Sequence, residues 1–563
     1  MGTVITFWVI ELIAFGAMHV YLKKRHFWDV ALCGAMTVIF VLMAVGNAHN
    51  YDQPSLSSVS AISAGINALA FAILALIKIA TGFGVPDMTF GSAKFATPDH
   101  AREKGLIGES GIRLGRLRNP DPTERENERQ AGVVNPLHYT GQRHLLTVAP
   151  TRAGKGVSMI VPNLLTYEGS AIVIDPKGEN ARITYDRRAQ FGRAIALDPW
   201  GISGKPGARF NPLDLLSADS PTLIEDALLI ADAVVVHDGQ GEAFWSDEAR
   251  ALIMGFVLHL ATAPQEKGQR HLGRLRDILC STPEELLAIG AAMAESDHPA
   301  VVSAAARLIS KHEKELSGVL STAQQNTHFL DSPALRTHLE ASDFRFSDLK
   351  GPAPVSVYLV LPVERLSTYS RWLRMLISLG IADIARTQAQ TAKPVLFILD
   401  EFAQLGRLKM VEDAYGLMAG MGLQLHAVVQ DLSQLERLYD KGWQTFIGNA
   451  GVIQVFGTRD IHTAEYVSKM VGVTTRTVRS TSTSDGQSGG STSRNFAPTQ
   501  RPLLFPDELM RMDADAQILF VENADPIVAD KIVWHEDAAL KALAGQPERH
   551  STAPIARDEP VPV

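Results

Sequence analysis

Three apolar runs open the chain, and short apolar runs then alternate with helix-spaced segments through most of the remaining sequence. The opening runs span Val4 to Leu22, Val30 to Val45 and Val59 to Ile77, and the second and third carry no charge. A bilayer core about 30 Å thick takes about 20 helical residues, so residues 1–83 are expected to form an anchor of about three N-terminal transmembrane helices. Lys23, Lys24 and Arg25 lie between the first two runs, whereas Asp52 is the only charge from Asn47 to Ser58. The positive-inside tendency then places the first loop, and everything after Lys78, in the cytosol. Glu11 falls within the first run. It is either a polar contact between spans or a residue near the outer interface.

From Gly84 to about Leu137 the chain is polar and turn-rich, with GSAKFATPDHAREKGL as one ordered patch. Buried strands are then expected at His144–Val148, Ala171–Ile174, Ala194–Leu197, Val355–Leu361, Val395–Leu399, Leu425–Val429 and Val452–Phe456. These runs are short, continuous and rich in β-branched residues, as in a parallel sheet covered on both faces. Their alternation with helical spacing predicts a doubly wound α/β domain. From Pro221 to Leu339 the strand pattern stops, and LIEDALLIADAVVV and DEARALIMGFVLHLATA carry helical spacing. The expected division is a nucleotide-binding domain at 84–220 and 340–535, an inserted all-α domain at 221–339, and an acidic, Pro-rich, unfolded tail at 536–563. The stretch TTRTVRSTSTSDGQSGGSTSR reads as a polar loop ahead of a last strand at Gln517–Val521.

Composition narrows this only a little. The chain has 563 residues and a net charge of −8. A chain of that length suits several domains, and that charge excludes a basic nucleic-acid coat while leaving room for local positive patches. Cys33 and Cys280 are the only cysteines, which excludes a disulfide framework or a thiolate metal cluster.

The sharpest chemical signal is HLLTVAPTRAGKGVSMIV. A strand runs into Ala149, Pro150, Thr151, Arg152, Ala153, Gly154, Lys155, Gly156 and Val157, and a helix pattern comes next. Gly154 and Lys155 match the phosphate-binding GxxxxGK[ST] loop, but Ala149 replaces its first glycine and Gly156 its hydroxyl residue. Backbone N–H groups at a helix start attract an anion, and Lys155 is the point charge for the β- and γ-phosphates of ATP. The hydroxyl that ordinarily meets Mg2+ is missing. Ser158 lies about 200° around the helix from Gly156, and Thr151 is the other possible stand-in. The strand PVLFIL ends in Asp400 and Glu401, one acid suited to Mg2+ and the other to polarising an attacking water. Gln430 ends the strand LQLHAVVQ, where an amide senses the γ-phosphate or simply forms a turn. Asp175 and Lys177 end AIVIDPK, with a nucleotide or subunit contact and a structural turn both open.

In order along the chain, HLLTVAPTRAGKG, AIVIDPKGE, RFNPLD, LDEFAQLG, VVQDLSQL and RPLLFPDEL resemble the TraG-type coupling proteins of type IV secretion and bacterial conjugation. The resemblance covers residues 90 to 535 and includes a glycine after the P-loop lysine. It implies a RecA/FtsK-like P-loop NTPase fold, the bacterial inner membrane and a homo-hexameric ring. The implied partners are membrane lipid, the inner-membrane components of type IV secretion, and a relaxase with its single-stranded DNA or effector proteins. Some relatives place an arginine finger between the acidic strand and the Gln strand. The corresponding AYGLMAGMGLQ has no arginine, which leaves Arg459 or Arg407 to act on a neighbouring subunit, with Arg459 the better placed. Two other readings fit the same motifs: a duplex DNA translocase of the FtsK/HerA type, and a membrane receptor that binds substrates without hydrolysing nucleotide.

Overall fold

A computed structural model of the chain describes residues 89–119, 123, 125, 127, 135–236, 243–484 and 491–545. The expected membrane spans at 1–83 and the tail beyond 545 lie outside the described residues. Among the described residues no helix is long and apolar enough to cross a membrane. Contacts divide the chain into Phe90–Thr475 with Thr499–Val563, and Met1–Thr89 with Arg476–Pro498.

The larger unit is built on an 11-stranded sheet. Its strands are β1 (Ile112–Leu117), β2 (Pro136–Tyr139), β3 (His144–Val148), β4 (Ala171–Asp175), β5 (Arg193–Leu197), β6 (Val355–Val360), β7 (Val395–Leu399), β8 (Leu423–Val429), β9 (Ala450–Val455), β12 (Ala516–Val521) and β13 (Ile527–Asp530), after the β10 (Val473–Ser484) and β11 (Ser491–Pro502) pair. The order is β2-β1-β13-β12-β9-β3-β8-β7-β4-β6-β5. From β9 to β5 every pairing is parallel. The expected strands are all present, and helices cover both faces. Successive residues of a strand point to opposite faces. Accordingly Leu146 and Val148 of β3 join one core with Phe397 of β7 and Ile172 of β4, while Leu145 joins a second with Leu396, Ile398 and Val173.

Three strands of this sheet were not expected. β1, β2 and β13 extend the sheet by antiparallel pairing beyond β12. They lie at the margin, where one apolar face suffices: Ile112, Leu114 and Leu117 are buried while arginines interrupt the run. A bulge between Arg113 and Gly115 breaks the period further. Gly115 has φ 143°, and a Cβ there would meet Gln517 Nε2 at 2.5 Å and Asp530 O at 2.6 Å, so only glycine fits.

Between β5 and β6 the described residues from Leu223 to His338 form helices and turns without a strand. The ends of this segment meet. Arg209 N donates to Asp343 Oδ2 at 2.8 Å, Asp343 N to Arg209 O at 3.0 Å, and Phe210 N to His338 O at 2.9 Å. Its buried residues, such as Phe256 and Leu275, belong to the same core as one face of the sheet.

Two polar stretches are more ordered than expected. β10 and β11 form a two-stranded sheet of their own where a loop was expected. Thr and Val dominate β10, and such β-branched residues favour extended backbone without a core. Within the expected tail, Ala538–Leu543 is a helix capped by Asp537, and Leu540 packs on Val161, Leu165 and Ile532. The folded chain therefore continues past 535.

Under the phosphate loop a polar line crosses the sheet. Thr147 Oγ1 lies 2.7 Å from His426 Nε2 and donates to Gln454 Oε1 at 3.1 Å, and Gln454 Nε2 donates to Gln517 Oε1 at 3.2 Å. Burial pushes the pKa of His426 down to about 3. The unfolded chain therefore binds a proton near pH 6.5 that the folded chain refuses until about pH 3. Stability is full above pH 6.5 and falls by about 1.4 kcal/mol per unit as pH drops through that window. Urea titrations from pH 7 to 4.5 should show wild-type stability falling more steeply than that of His426→Leu, by about one proton's slope.

Candidate nucleotide site

The loop after β3 is fixed at its root by both neighbouring strands. Ala149 N donates to Val429 O of β8 at 2.8 Å, and Phe456 N, just past β9, donates to Val148 O at 2.9 Å. Ala153 N then closes on Pro150 O at 3.0 Å. Arg152 has φ 66° and Gly154 φ 88°. A Cβ at Gly154 would make only ordinary contacts, so the backbone angle and not space calls for glycine. Gly156–Ile160 is a π turn that runs into the helix Val161–Thr166. Pro162 has no N–H to give the Ser158 carbonyl, and a proline there favours such a local break in the helical ladder.

Opposite the loop, β7 leads directly into Asp400 and Glu401. Lys155 Nζ lies 2.8 Å from Asp400 Oδ1 and 2.5 Å from Glu401 Oε1. Gln430 Nε2 donates to Glu401 Oε2 at 3.1 Å, and Gln430 N donates to Gln434 Oε1 at 3.1 Å. Glu401 sits at φ 53°, in the left-handed region, and its N–H donates to Asp400 Oδ1 at 3.0 Å. Burial opposes the charge of Lys155, but the two carboxylates outweigh it and raise its pKa. Burial raises the pKa of Asp400, and Lys155 partly offsets this. Lys155, Asp400, Glu401 and Gln430 thus form one connected cluster at the carboxyl ends of β3, β7 and β8.

Other expected residues part from it. Ser158 Oγ donates to Gly154 O at 2.7 Å, within its own turn. Thr151 and Arg152 are exposed on the loop, as is Val157 past it. Gly156 has nothing within 4 Å of an added Cβ, so the place of the missing hydroxyl is open. Asp175 is buried and accepts from Ala181 N at 2.8 Å, with its pKa pushed up to about 6 by burial; it caps the turn through Lys177 and Gly178. Arg407 is 3.1 Å from Glu412 and stacks 5.8 Å from the Tyr439 ring centre. Arg459 is exposed beyond β9, on the edge that carries the phosphate loop.

Comparisons with known proteins show the family and the fold. The model of the type IV secretory system conjugative DNA transfer family matches residues 94–557. The chain belongs to that family. It is 27% identical over 544 residues to a conjugal transfer protein TraG of Escherichia coli, covering 87% of this chain and 84% of the relative. With protein VirD4 of Agrobacterium fabrum it shares 28% over 411 residues, covering 71% of this chain and 60% of the relative. Among solved structures, the bacterial conjugative coupling protein TrwBdeltaN70 matches with TM-score 0.57 and 19% identity, over 80% of this chain and 95% of that one. The same fold occurs in TrwB solved with the ATP analogue ADPNP and with ADP and Mg2+.

One residue of this coupling protein had no signal in its motifs. Arg374 lies buried on the helix Leu366–Arg386. Its Nη1 donates to Leu405 O at 2.6 Å and Arg407 O at 2.9 Å, and its Nε to Ala233 O at 3.3 Å. Burial lowers its pKa to about 10, so it stays charged at neutral pH and holds the turn behind Glu401. A helical pattern marks its position but not what it reaches. Arg374→Met strands those carbonyls in the core. It should lose about 3 kcal/mol of stability in denaturant titration.

Proposed function

We propose that this coupling protein hydrolyses ATP with Mg2+ at the Lys155–Asp400–Glu401–Gln430 cluster. The observation that carries the reading is that these four residues, from the segments after three different strands, meet within hydrogen-bond distance at the carboxyl edge of the sheet. Ligands bind in that position in open α/β sheets. The residues fit a magnesium site: a buried carboxylate at Asp400 beside the phosphate loop suits an ion that keeps several waters and needs few protein ligands. Mg2+ would neutralise charge on the phosphate oxygens. Lys155 would leave its carboxylates for the β- and γ-phosphates, and Glu401, held by Gln430, would accept the proton of the attacking water.

The same reading extends to the whole assembly. Residues 1–83 anchor the chain in the bacterial inner membrane, the helical segment 221–339 acts as an inserted all-α domain that receives cargo, and copies assemble as a homo-hexamer. The ring takes relaxase-bound single-stranded DNA or effector proteins to the secretion channel. Arg459 supports this: it is exposed, makes no ion pair or hydrogen bond among the described residues, and lies on the phosphate-loop edge. Arg407 is held within its own chain. Gly156 favours a second reading, a receptor that binds nucleotide without hydrolysis.

ATP turnover by the full chain, with and without single-stranded DNA, separates these. Glu401→Gln should lower kcat about a hundredfold or more with nucleotide affinity kept, and Lys155→Ala should lose affinity. Wild-type turnover no higher than both variants would establish the receptor reading. Stronger stimulation by duplex than by single strands would replace conjugative transfer with duplex translocation.

A further inference from the structure

Lys531 is the first residue after β13. β13 pairs antiparallel with β12, and β12 antiparallel with β9. β13 therefore runs in the direction of β9 and ends on the edge of the sheet that carries the phosphate loop. There Lys531 Nζ donates to Ala514 O at 2.9 Å, Ala153 O at 3.1 Å and Phe456 O at 3.4 Å, and lies 4.4 Å from the Phe456 ring centre. Three donors meet three carbonyls, the whole capacity of an ammonium. Its backbone is held too, since Lys531 N donates to Asp515 O at 2.7 Å. The chain continues along the loop's helix, where Trp534 N donates to Val157 O at 3.0 Å and Ile532 and Leu540 pack on Val161 and Leu165.

Of the three carbonyls, Ala153 O belongs to the phosphate loop itself. In a trans peptide the C=O and N–H point in opposite directions. Anchoring Ala153 O on Lys531 therefore turns the Gly154 N–H the other way, into the cradle. We infer that Lys531 is a positioning residue of the phosphate loop, holding the Ala153–Gly154 peptide so that its N–H faces the nucleotide phosphates. This rests on the nucleotide reading above and adds a second lysine that acts through the backbone instead of touching the phosphates.

A titration separates this role from plain support. Burial pushes the pKa of Lys531 down to about 8, against the opposing charge of Asp515 in the loop before β12. The neighbouring Asp530 is engaged with Arg118 at 3.3 Å, and Lys155 is shifted upwards, so it stays charged across the window. Lys531 thus loses its proton between pH 7 and 9.5, and an arginine in its place would not. The experiment measures affinity for a fluorescent ADP analogue with Mg2+, and the KM and kcat for ATP, on the full chain at pH 7 and 9.5. It compares wild type, Lys531→Arg and Lys531→Met, with thermal melting to check folding.

At pH 7, Lys531→Met should bind about tenfold more weakly and raise KM more than it lowers kcat. Wild-type affinity should weaken from pH 7 to 9.5, while Lys531→Arg stays level. A folded Lys531→Met with wild-type affinity and KM overturns the role of Lys531 and leaves the nucleotide reading intact. If Lys531→Met does not fold, equal pH slopes in wild type and Lys531→Arg overturn it. A wild type that binds no nucleotide overturns both.

Discussion

Two carboxylates side by side at the end of a buried strand repel each other and are poorly solvated. Asp400 and Glu401 are placed this way, and the ammonium of Lys155 between them makes the arrangement tolerable. A buried charge left without its partner costs several kcal/mol, so the phosphate loop and the acidic strand end hold each other in place. The strand order makes the meeting possible. β8 separates β3 from β7, which sets the loop and the acids one strand apart and brings Gln430, at the end of β8, between them. Under the proposed reading, a nucleotide that draws Lys155 to its phosphates leaves two carboxylates uncompensated. Asp400 would then hold a divalent cation, which would supply the missing countercharge. The lysine pairing would thus link nucleotide entry to cation entry, with Gln430 keeping Glu401 oriented through their hydrogen bond.

The central sheet and this cluster were legible in the sequence for one physical reason. A parallel strand buried on both faces must be apolar nearly throughout, so HLLTV, AIVID and VLFIL stand out, and the residues that follow them lie at the ligand-binding edge. Asp400, Glu401 and Gln430 were found by that rule, and Lys155 by the Gly-Lys pair of the phosphate-binding motif in the loop after HLLTV. Marginal strands obey a weaker one. β1 is apolar only at alternate positions and carries a bulge, and β2 and β13 are four residues each. Their signal is no stronger than that of a turn. The β10–β11 pair shows the opposite limit, in which backbone preference orders a segment that has no apolar pattern. Residues that act through carbonyls, such as Arg374 and Lys531, leave no pattern at all. Their partners are backbone atoms that every residue carries.

The loop and the acidic turn also contain backbone that does not settle there unaided. Arg152 at φ 66° and Glu401 at φ 53° are non-glycine residues in the left-handed region, and each such placement costs about 1 kcal/mol or more. Strain of this kind persists only where the surroundings over-determine it, and here both sites are held from several sides. The sheet grips the loop's root through Val429 and Phe456, and the chain after β13 grips its crown through Ala153 and its helix through Val157. Arg374 fixes the turn after Glu401 from beneath. The segment from Asp530 to Gly545 therefore belongs to the site as much as to the sheet margin. Removing its contacts loosens the loop without touching any residue of the nucleotide motifs, so the boundary of the functional unit lies beyond the last motif legible in the sequence.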